Sequence, residues 1–233
     1  MTSGLIARPY MTPAKQILIA VASTLLLTAI TAALLFGSAG RLDVPIFWAA
    51  LAVWAVQCLA ITLGIDPDLL RERLRPGPGG RDRLGVFVMQ LALFAHLLLA
   101  GLDVGRYHWS AIPLPAQIIA LTINALAAVV LARAMFANRF FSPVVRLQSE
   151  RGHHLIETGP YRVVRHPGYA AALVQALTSP VALGSWWSLV PMLLFTAIIL
   201  RRTILEDRFL HDHLEGFPTY ARRVRWRLIP SIW

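Results

Sequence analysis

Cysteine occurs once in the 233 residues, at Cys58. An intrachain disulfide is therefore excluded, and a thiol inside an apolar run reads as a packing group. Acidic residues are also few, 12 against 22 basic ones, which leaves a formal charge of +10. Such a surplus fits a nucleic-acid binder when it forms a stripe on a polar domain. Here the arginines sit between apolar runs, so no nucleic-acid partner is expected. No alternating strand pattern appears, and no Gly-x-Gly-x-x-Gly opens a helix, which argues against a Rossmann sheet. No internal repeat is visible, against the habit of many transporters. The histidines lack ligand spacing: His211 and His213 fall on different helix faces and His153 and His154 are adjacent, so no metal site is expected.

What the chain has in abundance is apolar sequence. Hydrophobic residues make up 57% and the mean hydropathy is +0.60, against roughly 45–50% apolar residues in soluble domains. This is the composition of an integral membrane protein. Four runs approach or exceed the roughly 20 residues that a crossing helix needs: Gln16–Phe36, Pro45–Gly64, Leu84–Leu102 and Leu114–Phe136. Asp66, Pro67 and the Arg75–Gly80 stretch break the chain after the second. Two further runs, Tyr169–Leu183 and Trp186–Leu200, are joined through Gly184 and read as a helical hairpin whose first arm is short or tilted. The first run is too long for a cleaved signal peptide. The fold class expected is all-α: a polytopic membrane protein of four transmembrane helices plus a C-terminal hairpin.

Charge orients these spans, because cytoplasmic loops retain Arg and Lys. Arg8 and Lys15 precede the first span; Arg71, Arg73, Arg75, Arg81 and Arg83 follow the second; Arg139, Arg146, Arg151, Arg162 and Arg165 follow the fourth. Another group, from Arg201 to Arg227, follows the hairpin, while the opposite side holds only Arg41 and Arg106. Every basic loop falls on one side, and both termini are expected to be cytoplasmic. Trp48, Trp109, Trp186 and Trp187, near span ends, read as interfacial anchors, and His96 as an interhelical hydrogen bonder.

Retention of charge does not explain the order of residues in QSERGHHLIETGPYRVVRHPGY, Gln148–Tyr169. Donors and acceptors from Gln, His, Tyr and Arg are set around Gly152, Gly159, Pro160 and Pro167, residues that make turns. Farther on, Arg202 and Glu206 are four apart, hence on one face of a helix. A carboxylate at a membrane exit is either the partner of Arg202 or the partner of a bound cation. Spacing leaves both open.

Together these residues resemble the membrane methyltransferases related to isoprenylcysteine carboxyl methyltransferase and the phospholipid N-methyltransferases. The motif reads Arg165-His166-Pro167-Gly168-Tyr169, then Glu206-Asp207 across the hairpin, preceded by His153-His154-Leu155-Ile156 and Gly159-Pro160-Tyr161. Upstream, Asp66–Gly80 looks like the cytoplasmic loop of bacterial members. Two departures stand out: Asp207 where the family usually has Glu, and Ala171 where many members have Gly.

The resemblance implies S-adenosylmethionine as methyl donor, S-adenosylhomocysteine as product and a bacterial inner-membrane location. Carried over by position, Gln148, His153, His154, Leu155, Ile156, Gly159, Tyr161, His166, Pro167, Gly168, Tyr169 and Asp207 would surround the cofactor, with Glu206 meeting its ammonium. Arg202 would hold the substrate, and with Arg165 would serve catalysis. Residues 1–137 would supply membrane helices with a basic loop at 65–83; residues 138–233 would form the cofactor-binding and catalytic region with the hairpin and a basic tail. The acceptor implied first is lipophilic or amphiphilic, an isoprenylcysteine-like carboxylate or a phospholipid amine, reached from the membrane lipid. A small thiol ranks second, and a non-enzymatic transporter or assembly protein is the alternative from another class.

Overall fold

A computed structural model describes residues 12–233; Arg8 lies outside them. Among the described residues the chain is all helical, with eight α-helices and no strand. They are α1 (Pro13–Ala39), α2 (Pro45–Gly64), α3 (Pro67–Leu74), α4 (Arg83–Gly101), α5 (Leu114–Ala137), α6 (Pro167–Ala182), α7 (Leu189–His213) and α8 (Phe217–Arg223). Proline stands in the first turn of α1, α2, α3, α5, α6 and α8, where its missing N–H lacks no partner. Asp66 caps α3, accepting from the Asp68 N–H at 2.8 Å.

Four helices are long and apolar enough to cross a membrane: α1, α2, α4 with its π-helical continuation to Tyr107, and α5. They fall on the runs expected from hydropathy. The hairpin is also present as α6 and α7. At 16 residues, α6 is shorter than the roughly 20 needed for a perpendicular crossing. Its turn holds Gly184 at φ +80, and a Cβ there would approach the Gln117 side chain to 3.2 Å. The left-handed backbone and the tight space both suit glycine.

Packing joins the long helices into a ring: α1 against α2 and α4, α2 against α5, α5 against α6, α6 against α7, and α7 back against α4. Outward residues such as Leu18, Leu25, Val56 and Leu126 are exposed, as lipid-facing positions are. Inside, Gln175 donates to Gln57 at 2.9 Å, and Asn124 donates to the Gln175 carbonyl and the Thr178 hydroxyl at 3.1 Å each. Side-chain amides hold helices together where lipid cannot compete for them. At the end with few basic residues, buried Asp103 accepts from Ser110 and Ser185 hydroxyls at 2.6 Å each, fixing the hairpin turn. His96 meets the Ser188 carbonyl at 3.2 Å, as an interhelical hydrogen bonder does.

The opposite end, where the arginines collect, carries a cap. It comprises α3, the segment 138–166, the last turns of α7, and α8 with the tail beyond it. Buried Glu72 of α3 anchors it: Arg146 grips this carboxylate through two bonds of 2.9 and 2.7 Å, and Ser142 adds a third at 2.9 Å. Burial opposes ionisation of Glu72, but the bonds from Arg146 and Ser142 outweigh it and hold the carboxyl below its usual range.

Candidate active site

The cap holds a cavity that is open to solvent at its mouth. One wall is built on Phe140, a buried residue just past the end of α5. The His153 ring stacks on it at 4.5 Å and His154 meets it edge-on at 5.0 Å. Buried Gln148 ties this wall down, donating to the Phe140 carbonyl at 2.7 Å while Arg151 donates to its amide oxygen. The Gln148 N–H donates to His153 Nδ1 at 3.2 Å, which requires that nitrogen unprotonated. Burial first, then the neighbouring His154, Arg151 and Arg146, push the His153 pKa down to about 4.

Tyr161 is held from both sides. Asn138 donates to its hydroxyl at 3.1 Å, and the Tyr220 hydroxyl donates to its carbonyl at 2.7 Å. Next comes the start of α6, where Gly168 lies against the Phe141 ring; a Cβ there would come within 2.4 Å of it. The close approach of that ring suits a residue with no side chain at position 168. Apolar groups from the end of α7 and from α8, among them Phe209, Leu210 and Phe217, close the far side.

Two neighbouring carboxylates on α7 are employed in opposite ways. Asp207 accepts from Arg165 at 2.7 and 2.9 Å, from His166 Nε2 at 3.0 Å and from Arg227 at 2.9 Å. Burial works against its charge, but the bonds from His166 and Arg165 prevail and hold it well below the usual carboxylate range. Arg165 also donates to the Val224 and Arg225 carbonyls at 2.9 and 2.8 Å, which straps the tail onto the start of α6. Glu206, in contrast, lines the cavity. It accepts from the Tyr169 hydroxyl at 2.6 Å and has no cationic partner among the described residues.

The structure therefore brings Gln148, His153, His154, Leu155, Ile156, Tyr161, Arg165, His166, Gly168, Tyr169 and Glu206 onto one cavity wall. Four others selected from the sequence lie elsewhere. Gly159 is exposed before Tyr161, and Pro167 is buried in the first turn of α6. Asp207 is turned into the cluster of Arg165, His166 and Arg227. Arg202, 2% exposed, stands behind Tyr169. Its guanidinium donates to the Pro143 carbonyl at 2.8 Å and more weakly to Asp82 and the Tyr169 hydroxyl, at 3.4 and 3.5 Å. The i, i+4 spacing does not produce an Arg202–Glu206 ion pair; Tyr169 bonds to both. Arg202 Nε is buried without a partner.

Sequence reasoning passed over Glu72, Asp82, Asn138, Phe140, Arg146, Tyr220 and Arg227. Only Asn138 and Phe140 carried a local signal, as polar and aromatic residues directly after a span. The rest act through partners far along the chain, such as the 74 positions between Glu72 and Arg146.

A ring of lipid-facing helices with a polar, partly enclosed cavity at one end is the architecture of an integral membrane protein. Comparison with known proteins makes the class specific. Residues 116–212 match the isoprenylcysteine carboxyl methyltransferase (ICMT) family, a stretch that includes most of the cavity wall. Two rice proteins, from Oryza sativa subsp. indica and subsp. japonica, each described as a probable protein-S-isoprenylcysteine O-methyltransferase, are 33% identical over 147 residues. The match covers 60% of this chain and 72% of each of theirs. The chain belongs to this family and is a membrane methyltransferase.

Proposed function

We propose that the chain transfers a methyl group from S-adenosylmethionine to a lipophilic or amphiphilic acceptor at the cytoplasmic face of the membrane. The observation that carries this reading is Glu206, a carboxylate on the cavity wall with no cation of its own. Nearby carboxylates are all matched: Glu72 by Arg146, Asp207 by Arg165 and Arg227, Asp82 by Arg201, Glu157 by Arg223. A single open negative charge in a partly buried cavity suits a cationic ligand group. Phe140 and the apolar residues of α7 and α8 suit a flat heterocycle beside it. When bound, S-adenosylmethionine supplies an activated methyl group and leaves as S-adenosylhomocysteine.

The chain's own part is to hold and exclude. Tyr169, donating to Glu206 at 2.6 Å, sets the carboxylate's orientation and keeps it from collapsing onto Arg202. Arg202 offers a cation with one unused buried donor, which suits an anionic acceptor oxygen approaching beside Tyr169. An isoprenylcysteine-like carboxylate is the acceptor that fits this donor best, and the names of the rice relatives favour it over a phospholipid amine. A carboxylate attacks without losing a proton, so alignment and removal of water are the main requirements.

Two variants test the assignment. Glu206→Gln should weaken S-adenosylhomocysteine binding by about 10- to 100-fold, the range for a charge-assisted bond, without altering the melting temperature. Arg202→Ala should keep that affinity and lower turnover of an isoprenylcysteine substrate about 100-fold or more. Unchanged titrations in the first, or normal turnover in the second, would remove the corresponding role. The membrane face is read separately, in a Cys58→Ser background, by labelling from outside intact cells: Leu42→Cys should react and Gly79→Cys should not. The reverse pattern would put the cavity on the wrong side for a cytosolic cofactor.

A further inference from the structure

The Asp207 cluster does more than neutralise charge, because two of its three donor residues, Arg165 and His166, also line the cavity. His166 Nε2 lies 3.0 Å from Asp207 Oδ1. An ionised carboxylate only accepts, so the proton of that bond sits on the imidazole. In a neutral ring the other nitrogen, Nδ1, is then an acceptor. Nδ1 has no hydrogen-bond partner among the described residues, and the ring lines the cavity, with its centroid 5.8 Å from that of Tyr169. Arg165 and Arg227 place two guanidinium groups on the same carboxylate.

We propose that Asp207 is a positioning residue: it fixes His166 as a hydrogen-bond acceptor at Nδ1, so the cavity presents a lone pair, and not an N–H, to a donor group of the bound cofactor. Arg227 and the strapped tail keep Asp207 in place for this, since Arg227 binds Oδ2 and leaves Oδ1 to His166 and Arg165. The backbone adds to the hold, because the Arg165 and His166 N–H groups donate to the Trp226 and Arg227 carbonyls at 2.9 Å each.

This inference rests on the cofactor reading above and deepens it for one side chain. The test is nitrogen NMR on the full chain in lipid nanodiscs, labelled in its 7 histidines, with the His166 signals assigned by their loss in His166→Asn. The expected result is a neutral ring carrying its proton on Nε2, with Nδ1 shifted when S-adenosylhomocysteine is added. In Asp207→Asn the ring should populate the other tautomer, and affinity for S-adenosylhomocysteine should fall about tenfold, as for one mis-set hydrogen bond. A wild-type ring protonated on Nδ1, or on both nitrogens, overturns the inference whether or not the variant folds. A folded Asp207→Asn protein with unchanged tautomer and affinity overturns it too. Absence of S-adenosylhomocysteine binding to the wild type overturns the cofactor reading and this inference with it, whereas binding with the wrong tautomer overturns this inference alone.

Discussion

Inside the helix ring, amides of Gln57, Gln175 and Asn124 join three helices with neutral bonds of 2.9 to 3.1 Å. In the cap, a few residues away along α6 and α7, the joining groups are charged: Glu72 with Arg146, and Asp207 with Arg165 and Arg227. The contrast follows from what surrounds each region. Lipid gives an ionised group no relief, so the middle of the ring is joined by neutral polar groups, and its buried carboxylate, Asp103, lies at the end away from the cap. The cap borders water on one side, where a buried pair is tolerable once several bonds satisfy it. The price of using charge is that each hub must be closed; Glu206, the carboxylate that lines the cavity, has no salt bridge among the described residues.

The comparison breaks most visibly at Arg146. Arg146→Ala leaves Glu72 buried and unmatched, which should cost about 3–5 kcal/mol and open the cap while the ring stays folded. Limited proteolysis should then cut in the 138–166 segment of the variant and spare the wild type. Gln175→Leu in the ring should cost only about 0.6 kcal/mol by the same stability assay. Equal losses at the two sites would erase the distinction drawn between the regions.

A smaller effect sharpens it from the side of pH. The folded His153 pKa, about 4, lies below the unfolded value of about 6.5. Its contribution to cap stability is therefore present above about pH 6.5 and is lost as pH falls toward 4, because the unfolded chain binds the proton more readily. Binding of S-adenosylhomocysteine followed from pH 7 to 5 should weaken by a few-fold more in the wild type than in His153→Asn. Parallel curves would show that the stacked His153 ring has no part in the wall's response to acid.

Much of the bundle was legible beforehand because its signals are local. The runs Pro45–Gly64 and Leu114–Phe136 match α2 and α5 nearly end to end: a crossing helix must be apolar along its whole length, and proline marks where it starts. The motif around His166 marked the stretch that lines the cavity at the start of α6 for a similar reason, since its turn residues and donors are consecutive. Arg202 was different. Its spacing from Glu206 suggested a pair, yet the Tyr169 hydroxyl, 33 positions from Arg202, comes between them. No helical periodicity could have announced that.

By itself, then, the amino-acid sequence determined the class, the spans, the charged end and the stretch that forms the cavity, because hydropathy, turn residues and charge act over one or two helical turns. Only the tertiary structure decided which charges are free. Glu206 and Asp207 are adjacent and chemically alike, but successive residues on a helix point about 100° apart. That rotation turns one carboxylate toward the cavity and the other into Arg165, His166 and Arg227, partners brought from 42, 41 and 20 positions away. Contacts at such separations depend on how the helices cross and where the tail returns, which no short stretch of sequence specifies.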